Sequence, residues 1–264
     1  MLDPTKRFSN RVENYVKYRP NYPPDVIGLL EVECGLTPAS VIADVGSGTG
    51  ILSEMFLKHG NRVFGVEPNR EMRAAGEKLL ANYSKFSSID ATAEATTLVE
   101  ASIDFITAGQ AFHWFDREQS RAEFARILRP GGWVVLVWNG FRVETSPLNN
   151  AYQQVVLKYG TDSQEVRREV LGWDVESFYA AGACHASFEF QQPFDFEGLK
   201  GRLLSSSYAP EPDHPHYQPM LRELQQIFDD HQRDGKVALH YETELYYGQL
   251  SATQNPVCRP VSAQ

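Results

Sequence analysis

The feature that most constrains this chain is a glycine-rich turn, Asp44-Val45-Gly46-Ser47-Gly48-Thr49-Gly50, set between a β-branched run and a helical pattern. Glycine tolerates left-handed backbone and lets a ligand approach main-chain N–H groups closely, which suits a strand-to-helix junction that binds something. Ser40 to Val45 reads as a strand and Ile51 to His59 as a helix. The alternation then repeats: strand Arg62 to Glu67, helix Asn69 to Tyr83, short strand Phe86 to Asp90, strand Ile103 to Ala108, helix Asp116 to Leu128, strand Trp133 to Trp138. Helix stops stand at His59-Gly60 and at Arg129-Pro130-Gly131-Gly132. Strands alternating with helices predict an α/β fold, a parallel sheet covered by helices on both faces.

Upstream, Tyr22 to Leu36 predicts a helix whose prolines sit in the first turn. Beyond Asn139-Gly140 the pattern loosens. It predicts helices at Pro147 to Tyr159 and Val175 to Ala181, a strand from His185 to Gln191, two more helices before Lys236, a β-rich stretch from Lys236 to Gln249, and a frayed tail from Ser251. Neither an internal repeat nor a linker is visible. Residues 1–264 are therefore read as one domain: 1–36 an N-terminal cover and helix, 37–140 the ligand-binding core, 141–250 a substrate cover with closing strands.

The 264 residues carry a formal net charge of -9, which repels phosphate backbones and anionic lipid and makes nucleic acid an unexpected partner. Basic runs such as Lys6-Arg7 and Arg167-Arg168 read as solvated faces, the second beside Glu165 and Glu169. Cys34, Cys184 and Cys258 match no disulfide framework or zinc spacing, and are expected to be reduced thiols. His214, His216, His231 and His240 likewise fit no metal-ligand spacing. With no signal-like h-region and no apolar run of bilayer length, the expectation is a cytoplasmic protein, monomer or homodimer, without a membrane partner.

Spacing narrows the guest of the glycine turn. A dinucleotide fingerprint places its third glycine at the sixth position, where this chain has Ile51, and a phosphate loop ends in Lys, which is absent. The carboxylate of Asp44 suits a ligand carrying an ammonium group and a sulfonium charge. Glu67, ending the next strand, stands where an acid takes ribose hydroxyls; its alternative role is to stabilise the N-terminus of the helix near Asn69.

With these motifs in order, the chain resembles the class I S-adenosylmethionine-dependent methyltransferases, within the small-molecule group called methyltransferase type 11. The resemblance rests also on Glu67-Pro68-Asn69 with Met72, on Ala93-Glu94, on Gln110-Ala111-Phe112-His113-Trp114-Phe115, and on Arg126-Ile127-Leu128-Arg129-Pro130-Gly131-Gly132. Tyr18-Arg19-Pro20-Asn21-Tyr22-Pro23 is similar to the N-terminal cover of relatives of trans-aconitate methyltransferase. Ala91, where glycine is frequent, and Thr96-Thr97, replacing a common Leu-Pro, depart from the pattern.

The resemblance implies a Rossmann-like, seven-stranded, mostly parallel sheet with a helical substrate cover, binding S-adenosylmethionine and a small-molecule methyl acceptor, a carboxylate or hydroxyl. Gly46, Ser47, Gly48, Thr49 and Gly50 would line the methionine end, with Asp44 supporting the loop or the amino group. Glu67 would take the ribose; Pro68 and Met72 would pack on the adenine, with Asn69 also at the cofactor; Thr92, Ala93 and Glu94 would meet the adenine edge. Tyr18 and Tyr22 would close over the cofactor, and Arg19 would pair with a substrate or cofactor carboxylate through its planar fork, being alternatively a surface ion-pair partner. His113 is the candidate base and Gln110 would face the methyl group, each with a purely structural alternative. Tyr22, Trp114, Trp138, Asn139 and Tyr208 are candidates for the acceptor pocket. Two other readings share the fold: a non-catalytic cofactor-binding regulator, and a nucleic-acid methyltransferase, which the acidic charge and the Gly109-Gln110-Ala111-Phe112-His113-Trp114 segment disfavour.

Overall fold

A computed structural model describes residues 11–143, 146–161, 175–179 and 182–250. The tail from Ser251, Cys258 and the Lys6-Arg7 and Arg167-Arg168 runs lie outside the described residues, as do the first ten residues of the N-terminal cover and part of the Val175 to Ala181 helix.

The strands are β1 (Val41–Val45), β2 (Arg62–Val66), β3 (Phe86–Ile89), β4 (Ile103–Gly109), β5 (Leu128–Phe141), β6 (Cys184–Phe194) and β7 (Val237–Gly248). The helices are α1 (Val12–Tyr18), α2 (Asp25–Cys34), α3 (Ile51–His59), α4 (Arg70–Leu79), α5 (Arg117–Ile127), α6 (Pro147–Tyr159), α7 (Phe196–Leu204) and α8 (Tyr217–His231). Together the strands form one seven-stranded sheet, ordered β3-β2-β1-β4-β5-β7-β6, in which β7 runs opposite to the other six. The order reverses between β1 and β4. Ligands bind at such a switch point in open α/β sheets, outside the carboxyl ends of the strands.

Burial on both sides explains the near-continuous apolar strands. Ala43, Val45, Ile106, Ala108, Val134 and Leu136 face Phe124 and Ile127 of α5. Ile42, Val63, Phe105, Val135 and Val137 face Val26, Leu29 and Leu30 of α2 and Leu52, Phe56 and Leu57 of α3. A third cluster joins Tyr152 and Val155 of α6, Leu199 and Leu203 of α7, Leu224 of α8, and Leu239 and Tyr241 of β7. Caps set the helix starts: the side chains of Asn69, Asp116, Ser146 and Asp195 accept the N–H groups of Met72, Gln119, Asn149 and Gly198.

Three expectations are corrected. The fifth strand begins at Leu128, before the Gly131-Gly132 stop, because a bulge facing the Ile103 to Phe105 step of β4 carries the pairing through Gly131 at φ +80°. In place of a helix from Val175, the described residues hold a single 3₁₀ turn, Glu176–Phe178. Cys34 is a free thiol, but Cys184 is disulfide-bonded, which sequence spacing alone does not reveal. No helix among the described residues is long and apolar enough to cross a membrane.

The N-terminal segment docks on the third cluster through Tyr18, whose ring fills the space above Gly201 of α7. A Cβ at position 201 would lie 2.0 Å from Tyr18 Cε2. Gly201→Ala is expected to cost about 1–3 kcal/mol by overpacking, read as a Tm lowered by several degrees in calorimetry, despite alanine's better helix propensity.

Candidate functional site

The glycine turn is shaped by its main chain. Gly46 and Ser47 both donate to the carbonyl of Val66, at 2.8 and 3.1 Å, tying the end of β1 to that of β2. Gly46, Gly48 and Gly50 have φ of +68°, +56° and +86°. At Gly46 the constraint is doubled, since a Cβ there would lie 2.5 Å from the Cβ of Ala111.

Glu67 braces the turn from the next strand. Its Oε2 accepts the N–H of Gly48 at 2.8 Å and its Oε1 that of Asn69, the N-cap of α4, at 2.8 Å. Each oxygen accepts one protein N–H, leaving capacity for a diol. Burial raises the Glu67 pKa against the pull of the two N–H bonds. Asp44, fully buried, accepts from Ser53 Oγ at 2.6 Å and Thr107 Oγ1 at 3.1 Å. Burial lifts its pKa to about 7; the two hydroxyls oppose the shift and the Glu67 charge adds to it.

Two adjoining compartments open at the switch point. The first, about 500 Å³, is lined by Asp44, Gly46, Ser47, Gly48 and Thr49, with Tyr15, Arg19, Tyr22, Gln110, Asn139 and Arg202. The second, about 820 Å³, is lined by Glu67, Pro68, Asn69, Met72, Thr92, Ala93, Glu94, Ala111, Trp114 and Phe115. Tyr15, Gly46, Gly48, Gly109 and Gln110 border both. Gln110 sits at the junction in a left-handed conformation, φ +55°, its Nε2 donating to the carbonyl of Asn139 at 2.9 Å. A non-glycine residue held there is a local cost commonly found at functional sites. At the rim, Glu94 accepts the N–H of Asp116 at 2.9 Å, and the departing pair is accommodated locally, Thr96 bonding Glu123 and Thr97 adopting φ +62°.

Some expected residues are not brought to the cleft. Gly50 packs on Leu80, 2.5 Å from where its Cβ would stand, and lines neither compartment. Tyr18 is occupied by Gly201. His113, in the 3₁₀ turn Phe112–Trp114, lays its ring against Trp114 with centroids 4.6 Å apart and lines neither compartment. Trp138 is core, edge-on to Phe112 and Tyr246. Tyr208 packs on the third cluster. Trp114 borders the Glu67 compartment, away from the Asp44 side.

Among the lining residues that sequence reasoning did not assign to the site are Tyr15, Phe115 and Arg202. Arg202 did leave a signal: Leu199, Arg202 and Leu203 share one face of α7, so a cation sits on an apolar stripe. Among the described residues there is no cluster of potential metal ligands.

The residues present fit S-adenosylmethionine: a buried carboxylate beside the glycine turn, a cradle that a Cβ at Gly46 would fill, and a half-satisfied acid opposite an apolar slot. Residues 43–136 match the family described as methyltransferase domain. An uncharacterized methyltransferase of Mycobacterium tuberculosis is 36% identical over 139 residues, 52% of this chain and 54% of that protein, so the chain spans about half the length of that relative. An uncharacterized methyltransferase-like protein of Schizosaccharomyces pombe is 26% identical over 252 residues, 91% of this chain and 94% of its own. Among solved structures, one of an Anaeromyxobacter dehalogenans protein assigned as a type II methyltransferase superposes with a TM-score of 0.65 at 21% identity, covering 88% of this chain and 98% of that one. At that identity the superposition speaks for the fold alone. The matched stretch contains the glycine turn and Glu67, so the similarity to methyltransferase domains falls on the cleft itself.

Proposed function

We propose that this chain catalyses methyl transfer from S-adenosylmethionine to a small molecule, with a carboxylate or hydroxyl oxygen as acceptor. The observation that carries the reading is the two-part cleft whose halves meet at Gln110. When bound, S-adenosylmethionine supplies a methyl group on a sulfonium, a leaving group already activated. The residues therefore need only bind, align and exclude water, and alignment is worth roughly 7–11 kcal/mol in favourable cases.

In this reading Glu67 and the Thr92-Ala93-Glu94 edge hold the nucleoside end, with Pro68, Met72 and Trp114 as apolar walls. Asp44, Gly46, Ser47, Gly48 and Thr49 hold the amino-acid end. Gln110 stands where the halves join, while Tyr22 and Asn139 border the acceptor side. No base is assigned to His113, because it lines neither compartment. A carboxylate acceptor is ionised at neutral pH and asks for no base.

The test is isothermal titration with S-adenosylmethionine. Glu67→Ala is expected to weaken binding about tenfold or more, since it removes a charged acceptor from the ligand and from Gly48. Unchanged affinity would exclude Glu67 from the nucleoside site; absence of any binding to the unaltered protein would sink the catalytic reading.

A further inference from the structure

A groove lined by residues of α2 and α3 adjoins the first compartment, and the cofactor reading leaves it unused. Its apolar surface is made by Tyr22, Ile27, Ile51 and Met55. Tyr22, Ile27 and Met55 pack on the second core cluster, yet all four side chains stay partly exposed. Adjoining apolar side chains left open to water mark a binding surface. The charged rim, by contrast, is already answered. Lys58 pairs with Glu54 at 3.0 Å, and Glu54 also accepts the Tyr83 hydroxyl at 3.2 Å. The His59 ring bonds Asn61 Oδ1 at 2.7 Å and Glu31 Oε1 at 3.0 Å. Glu54, Lys58 and His59 therefore each have a partner, and the groove makes no call for a charged guest.

Groove and first compartment share a wall, because Tyr22 and Ile51 line both. Tyr22 reaches across it: a Cβ at Gly109, the last residue of β4, would lie 2.5 Å from the Tyr22 hydroxyl oxygen. Asn139, inside the first compartment, donates from Nδ2 to the carbonyl of Asn21 at 3.4 Å and so ties down the segment before Tyr22. Polarity changes across this wall. Asp44, Gln110 and Asn139 stand on the inner side, Ile27 and Met55 on the outer. A molecule lying across it would keep its polar end inside and gain from each methylene covered outside, where a charge would find no free partner. Resting on the methyltransferase reading above, we infer that the acceptor carries an uncharged apolar tail, which lies in the groove of Ile27 and Met55 while its reacting end passes Tyr22 into the first compartment.

The experiment uses protein carrying carbon-13 in its methionine and leucine methyl groups and saturated with S-adenosylhomocysteine. It is titrated with 1-butanol, 1-hexanol, 1-octanol and 1,8-octanediol and followed by NMR. Met55→Leu and Leu52→Ile assign the two signals that matter. The Met55 signal is expected to shift saturably, with affinity rising about twofold to fourfold for each added methylene. The diol, which puts a hydroxyl at the tail end, should bind about tenfold more weakly than 1-octanol. Nuclear Overhauser contacts should join the hydroxyl-bearing end of 1-octanol to Leu52, which lines the first compartment and not the groove. Met55→Lys and Ile27→Gln should each weaken 1-octanol by about tenfold or more while shifting S-adenosylhomocysteine affinity less than about twofold. The Met220 signal, from the third cluster, verifies that both variants fold. Three results would overturn the inference: S-adenosylhomocysteine binds but no alcohol moves the Met55 signal; affinity stays flat with chain length; or 1-octanol shifts Met55 without reaching Leu52, which makes the groove a separate site. Failure of S-adenosylhomocysteine itself to bind would instead remove the methyltransferase reading beneath it.

Discussion

Alanine in place of Gly46 is expected to lower S-adenosylmethionine affinity by about a hundredfold or more, equivalent to about 2.7 kcal/mol. Two costs combine. The residue sits at φ +68°, where an L side chain is strained, and the new methyl would lie 2.5 Å from the Cβ of Ala111. Ala111 follows β4 and borders the second compartment, so relief of the clash moves the wall that separates the two ends of the ligand. Overpacking and left-handed strain each cost roughly 1–3 kcal/mol, and in a preformed cradle they fall on the bound geometry. Titration calorimetry reads the affinity and circular dichroism verifies the fold. Gly28→Ala is the control: it lies in α2 with nothing within 4 Å of the new Cβ, and should leave binding unchanged while adding roughly 0.5–1 kcal/mol of stability. If Gly46→Ala binds like the unaltered protein, the turn is not the cradle.

The second large effect belongs to Asp44 and carries a pH signature. In the unliganded protein its pKa is raised to about 7, burial being the main cause. An ammonium group favours the ionised carboxylate, so affinity should climb as pH rises through that value, by about tenfold between pH 6 and 8 for a single titrating group. Asp44→Asn should flatten this dependence and, at pH 8, reduce affinity by about tenfold or more, because a charged partner becomes a neutral amide. The sign for stability runs the other way. A carboxyl whose folded pKa lies above its unfolded value holds its proton more tightly when folded. The unliganded protein therefore loses stability from this group as pH rises from the ordinary carboxylate range through about 7. Melting curves across that window should show the loss in the unaltered protein and not in Asp44→Asn. A pH-independent affinity would remove Asp44 from the ammonium site.

The core of the fold was legible from sequence because its signals are local. The boundaries of α3 and α6 follow directly from periodicity and stops, Ile51 to His59 before Gly60 and Pro147 to Tyr159 after Ser146. Glycines at 46 and 48 announce positive φ, and Glu67 announces an acid at the end of β2, since backbone conformation and strand position are properties of a short segment. These features identified the turn, its partner acid and the sulfonium-type ligand before any contact was known.

What only the tertiary structure decided is which side chains share a space. His113 follows β4 and Trp138 lies near the end of β5, where active-site residues collect, yet one stacks on Trp114 and the other enters the core. Gly50 belongs to the same turn as Gly46 but faces Leu80. Arg202 enters the compartment from 183 positions beyond Arg19, brought there because Leu199 and Leu203 on its own helix must bury against Tyr241 and its neighbours. Local conformation is written in neighbouring residues; the meeting of Arg19 and Arg202 is written only in how distant apolar faces satisfy one another.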